Sequence, residues 1–103
     1  MILPDKKLDW PIAYEAVCEI ARSEGCRLKA YRCPAGVPTL GYGHTGGVKM
    51  GDTCTQGQAD QWLLSDLVDF TESVRRLLKR DASANELGAL VSLAFNIGSH
   101  GFA

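Results

Sequence analysis

The chain has 103 residues, 46% of them hydrophobic and 22% charged. That is the composition of one small globular unit, and it excludes disordered, collagen-like and two-core architectures. Eleven Lys and Arg against twelve Asp and Glu leave a net charge of -1, which argues against an overall basic nucleic-acid binder. Locally, Arg22, Arg27, Lys29 and Arg32 outnumber Glu24, so that stretch could face an anionic polymer. No run approaches the roughly 20 apolar residues of a membrane span. The opening MILPDKKLDWPIAYEA lacks the basic start and apolar middle of a signal peptide. The expectation is a chain made in the cytosol, without stable membrane insertion.

In chain order, Asp9 is a candidate cap for a first helix whose first turn holds Pro11, with Ala13, Val17, Ile20 and Ala21 on one face. The helix is expected from about Trp10 to Ser23. Glu24 and Gly25 end it, the glycine accepting a left-handed conformation. Between Leu28 and Thr45 the turn formers Pro34, Gly36 and Pro38 separate strand-like residues, which predicts a small antiparallel sheet or hairpin. Gly41, Gly43, Gly46 and Gly47 make the stretch from Thr39 to Val48 tight and loop-rich. Thr55 with Gln58 forms a capping-box pattern ahead of Ala59, Leu63, Leu67, Phe70, Val74 and Leu77, a long helix to about Lys79. Ser83 with Glu86 repeats the signal ahead of Leu87, Leu90, Val91, Ala94 and Phe95, a helix that ends before Gly98. Helix, sheet, helix, helix is an α+β order.

Cys18, Cys26, Cys33 and Cys54 include no CxxC pair, so zinc-ribbon and thioredoxin spacings are absent. Free thiols are the default without a secretory signal, and a disulfide stays open. A carboxyl at the end of a helix facing a hairpin suits a general acid, because partial burial there favours the neutral form. Glu24 has that position. By itself, though, it reads as a surface ion-pair partner of Arg22 or Arg27.

The string EGCRLKAYRCPAGVPTLGYGHT, positions 24 to 45, closely resembles the active-site segment of phage-type lysozymes, glycoside hydrolase family 24. That family's pattern is Glu, eight residues, Asp or less often Cys, five residues, Thr. Glu24, Cys33 and Thr39 meet it, followed by the family's Gly-x-Gly-His run at Gly41 to His44. TQGQADQWLLSDL and ALVSLAFNIGSHGF extend the resemblance over nearly the whole chain. It implies a lysozyme-like α+β domain over residues 1–103, with an N-terminal helix and hairpin lobe in 1–54 and a helical part in 55–103. Family members usually continue for several more helices beyond the position of Ala103, forming the lobe that closes the cleft.

The resemblance also implies roles. Glu24 would protonate the glycosidic oxygen as general acid. Cys33 would stand for the second carboxylate, and Thr39 would hold a water through a hydroxyl that both donates and accepts. Thr45 and Phe95 match positions that line the saccharide cleft, although Phe95 at helical spacing from Val91 is also an ordinary core residue. Tyr31 and Tyr42 read as core, and His44 as a structural histidine bonded to a backbone group or carboxylate. The implied activity is a muramidase that cuts the β-1,4 bond between N-acetylmuramic acid and N-acetylglucosamine in peptidoglycan during phage lysis. It would be a monomer made in the host cytoplasm, acting on the wall in the periplasm, with no cofactor, metal or nucleic acid.

Two other classes remain open: a non-catalytic wall-binding or vestigial fragment, and a redox or metal module of the four cysteines with His44. A bond between Cys26 and Cys33, seven residues apart, is a further expectation, since it would consume the thiol of the site and hold it off.

Overall fold

The computed structural model describes residues 3–78 and 83–96. The elements are α1 (Tyr14–Glu24), β1 (Arg27–Arg32), β2 (Pro38–Gly41), α2 (Gln56–Leu77) and α3 (Ala84–Asn96), an α+β order as predicted. The first helix starts later than expected. Ala13 is its N-cap, without a side-chain cap, and Asp9 plays no capping part. A helix capped at Asp9 would need Trp10 in helical conformation, which the ring of Pro11 disfavours for the residue before it. The segment is instead pinned by other bonds. The Trp10 indole donates to Asp5 O at 2.8 Å, and the Tyr14 hydroxyl donates to Pro4 O.

Both predicted capping boxes are present. The Thr55 side chain accepts from the Gln58 N–H at 3.1 Å while Gln58 Oε1 accepts from the Thr55 N–H at 3.0 Å. At α3 the Ser83 hydroxyl accepts from the Glu86 N–H at 3.1 Å, and Glu86 Oε1 reaches back to the Ser83 N–H at 3.5 Å. Lys79, Gly98 and the residues after Asn96 lie outside the described residues.

β1 and β2 pair antiparallel, with Tyr31 opposite Thr39 and Arg32 opposite Pro38. The register breaks between Arg27 and Tyr31. There β1 bulges away from β2 and pairs with the segment before α2: Ala30 N–H bonds Asp52 O at 2.8 Å and Cys54 N–H bonds Leu28 O at 2.9 Å. The bulge ties the hairpin to the start of α2 as well as to its own return strand.

One core joins the elements. Val17, Ile20 and Ala21 of α1 pack with Ala59, Leu63, Leu67 and Val74 of α2, with Leu87, Val91 and Phe95 of α3, and with Tyr42. α1 and α3 cross closely at a glycine: a Cβ on Gly88 would lie 3.1 Å from the Ala16 Cβ. This crossing sets the spacing between Glu24, at the end of α1, and Phe95, near the end of α3. Gly88→Val is therefore expected to cost about 1 to 3 kcal/mol through overpacking. Gly88→Ala should be near neutral, because its gain in helix propensity of about 1 kcal/mol offsets a few tenths of an ångström of adjustment. Urea denaturation of the three proteins checks this, and equal midpoints for the parent and Gly88→Val would contradict a tight crossing.

Candidate active site

Glu24 is the last residue of α1. Gly25 stops the helix, its N–H bonding Ala21 O at 2.8 Å. Its φ of 70° with ψ of 159° is not the left-handed helical conformation expected but an extended positive-φ region open essentially to glycine alone. That conformation turns the chain directly from α1 into β1.

The next fixed point is the loop after β2. Leu40 and His44 exchange backbone hydrogen bonds, both 2.9 Å, so Gly41, Tyr42 and Gly43 form a three-residue reversal with φ of 65° and 78° at the two glycines. Tyr42 points inward and is buried. Gln56 Nε2 donates to its hydroxyl at 2.8 Å and to Asp60 Oδ1 at 2.9 Å. Asp60 also accepts from the Asp5 N–H at 3.2 Å, so this buried carboxylate is held from two elements. Burial pushes the Tyr42 phenol up, so it stays neutral. The loop anchored this way presents Gly43 to Glu24. A Cβ at Gly43 would stand 2.8 Å from Glu24 Oε2, so only glycine leaves the carboxyl its seat.

Glu24, Cys33, Thr39 and Thr45 line one cleft of about 480 Å³, with Tyr31, Phe70 and Phe95 also in its walls. The structure thus brings together all five site residues named from the sequence. Thr45 is exposed. Phe95 serves both readings: it belongs to the core and is only 4% exposed, yet its edge reaches the cleft and its ring lies 5.1 Å from that of Phe70. Thr39 is buried, and its hydroxyl donates to Val37 O at 2.9 Å. With its one proton so placed, it meets the cleft as an acceptor.

Cys33 opens the turn between the strands. Its N–H bonds Val37 O at 3.0 Å and its carbonyl accepts from the Gly36 N–H at 2.8 Å. The Val37 backbone N–H, ahead of those of Ala35 and Gly36, stabilises a sulfur anion and holds the Cys33 thiol below its ordinary value, against an opposing push from burial. Cys26 and Cys54 go the other way, both pushed up by burial.

Cys26 and Cys33 flank β1 at its two ends, and seven steps of an extended chain span about 20 Å. A disulfide needs Cα atoms about 4.4 to 6.8 Å apart. The expected pairing therefore does not fit this fold, in which all four thiols are free; it would require the strand to come apart. Cys26 turns instead toward Gln56, its thiol 3.7 Å from Oε1. Among the described residues no three His, Cys, Asp or Glu side chains gather as a metal site.

His44 is bonded to a carboxylate, as its structural reading required: Nδ1 lies 3.2 Å from Asp66 Oδ2. Its ring stacks on Trp62 at 4.8 Å between centroids. Trp62 and Asp66 were not singled out from the sequence, and Gly43 entered there only as part of a tight loop and the Gly-x-Gly-His run. Trp62, Asp66 and Phe70 recur every four residues on α2, a stripe beside its apolar one, and that spacing was the available signal. Arg27 and Arg32, read as part of a basic stretch, are engaged locally. The Arg27 guanidinium lies 4.7 Å from the Tyr31 ring centre, and Arg32 Nη1 donates to Gly36 O at 3.0 Å.

The sequence model of the phage lysozyme family matches residues 21–103. The chain belongs to the phage lysozyme family. It is 43% identical over 91 residues to an endolysin of Acyrthosiphon pisum secondary endosymbiont phage 1, covering 88% of this chain and 62% of that protein. It is 37% identical over 97 residues to the endolysin of Salmonella phage P22, covering 89% and 66%. Among solved structures, the active form of the P1 phage endolysin Lyz superposes with a TM-score of 0.81 at 30% identity, over 90% of this chain and 53% of that one. The muramidase domain of SpmX from Asticaccaulis excentricus gives 0.78 at 36% identity, over 90% and 63%. The chain thus spans a little under two thirds of the two endolysin sequences. Its fold is that of lysozyme-like endolysins, as its sequence predicted.

The sulfur environments give a direct check. Alkylation by iodoacetamide across a pH series, mapped by mass spectrometry, should half-label Cys33 at a lower pH than Cys26 or Cys54. Earlier labelling of either of those two would contradict the turn geometry around Cys33.

Proposed function

We propose that this chain hydrolyses the glycan strand of peptidoglycan as a muramidase, cutting the β-1,4 bond between N-acetylmuramic acid and N-acetylglucosamine, in the service of phage or prophage lysis. The observation that carries the proposal is the meeting of Glu24, Cys33 and Thr39 in one cleft of a phage lysozyme scaffold. Peptidoglycan is the partner, and the chain works as a monomer, made in the host cytoplasm and acting on the wall in the periplasm. Among the described residues no helix is long and apolar enough to cross a membrane.

The chemistry follows from the groups. Glu24 ends α1 and lines the cleft, where a general acid has to stand. A neutral carboxyl has the proton that the leaving glycosidic oxygen needs. As the C1–O bond breaks, positive charge grows on the sugar ring. The Cys33 sulfur, as thiolate, opposes that charge and takes the proton from the water that attacks C1. Thr39, with a free lone pair toward the cleft, accepts one hydrogen of that water and orients it. Thr45 and the edge of Phe95 contact the saccharide.

Release of soluble fragments from purified peptidoglycan tests these roles. Glu24→Gln should lose about 10² to 10⁴-fold of the rate with the fold unchanged. More than a tenth of parent activity would remove Glu24 as the acid. Thr39→Val keeps the shape without the acceptor, and it should slow turnover with little change in stability. Glycan binding without release of fragments by the parent would point instead to a non-catalytic wall-binding module.

The pH profile tests Cys33. Activity that needs the thiolate is lost as pH falls through the Cys33 ionisation. An aspartate stays ionised to about pH 4, so Cys33→Asp should move that acidic limb to lower pH. The move should be smaller than the gap between ordinary thiol and carboxyl values, because the Cys33 thiol is already held low. An unmoved limb would take Cys33 out of the mechanism.

A further inference from the structure

Tyr31 and Tyr42 looked alike in the sequence, and the structure separates them. Tyr42 is 1% exposed with its hydroxyl bonded to Gln56, and nothing of it is left for a ligand. Tyr31 is half-buried, lines the cleft, and stands directly opposite Thr39 in the strand register. Glu24 and Cys33 line the same cleft. The bulge in β1 brings Arg27 close enough for its guanidinium to cover the ring at 4.7 Å. A cation over the face of an aromatic ring is attractive and restricts the ring's orientation.

We infer that Tyr31 is a glycan-contacting residue of the cleft that Glu24 and Cys33 also line, and that Arg27 is the positioning residue that holds its ring against the cleft wall. This deepens the proposed glycan hydrolysis and rests on it. The ring offers a rigid surface to a pyranose, and the hydroxyl offers a donor to a sugar oxygen beside the scissile bond. Burial pushes the phenol up, against the pull of Arg27, so the hydroxyl keeps its proton across the range in which the acid and thiol titrate. Because the residue holds the polysaccharide and exchanges no proton with it, its loss acts on binding more than on the bond-breaking step.

The test uses the full 103-residue chain and purified, uncrosslinked peptidoglycan glycan strands. The KM and kcat of each variant are measured, and strand affinity is measured separately in a Glu24→Gln background, where turnover does not interfere. Tyr31→Phe should raise KM and Kd about 2 to 10-fold, the loss of one hydrogen bond, with kcat little changed. Tyr31→Leu, which also removes the ring, should raise both by more than about tenfold. Arg27→Met should weaken binding about 2 to 5-fold, and Arg27→Lys, which restores a cation, should recover it. Should Tyr31→Leu fail to fold, Tyr31→Phe decides.

Affinity and KM equal to the parent's in the folded Tyr31 variants would overturn the inference while leaving the hydrolase reading intact. An Arg27→Lys protein no better than Arg27→Met would overturn the positioning role. A parent that neither binds nor cleaves the strands would overturn this inference and the proposed function together.

Discussion

The site depends on one close approach, between the carboxyl that ends α1 and the backbone of Gly43. Nothing larger than a hydrogen fits between them. A side chain at Gly43 would therefore push the Glu24 carboxyl out of the place it occupies in the cleft. Much of the surrounding structure serves that constraint. Gly25 turns the chain in a conformation that other residues avoid, and Tyr42 anchors the reversal in the core between its two glycines. Gln56, at the start of α2, links that anchor to Asp60 and through it to Asp5. The His44 ring, stacked on Trp62 and bonded to Asp66, fastens the far side of the same loop to α2.

The second half of the site depends on a turn instead of a core. Between Cys33 and Val37 the backbone folds so that several N–H groups face the sulfur, and these make a thiol serviceable where an anion is wanted. β1 connects the two halves, with Glu24 before it and Cys33 after it. Its bulge lets one strand satisfy two partners, β2 and the segment before α2. The strand's length also keeps the Cys33 thiol apart from that of Cys26.

What could be read from the sequence was what is local or strongly patterned. Thr55 with Gln58 and Ser83 with Glu86 are reciprocal bonds within four residues, so their spacing alone announced two helix starts. The motif of Glu24, Cys33 and Thr39 was equally plain, because types and spacings recur together. The first helix start was misplaced at Asp9 because the effect of Pro11 on Trp10 outweighed a good capping residue. Cys26 and Cys33 looked close because separation along the chain says little until the chain between them is known to be extended. Tyr31, Trp62 and Asp66 were hidden for a related reason: their roles come from pairing between elements, and neither strand register nor the facing of α2 is written at any single position.

A pair of glycine substitutions tests the central constraint most directly. Gly43 and Gly47 both have positive φ, 78° and 71°, but a Cβ at Gly47 meets nothing within 4 Å, whereas one at Gly43 meets the Glu24 carboxyl. Ala at either position meets a positive φ, and urea denaturation of both variants separates that strain from the contact with the carboxyl. With fragment release from purified peptidoglycan as the readout, Gly47→Ala should work like the parent. Gly43→Ala should lose about 10²-fold, the scale on which an ångström of displacement of a reacting group is felt. If the folded Gly43→Ala protein releases fragments as fast as Gly47→Ala, the carboxyl does not need its seat, and the account of the site built on it is wrong.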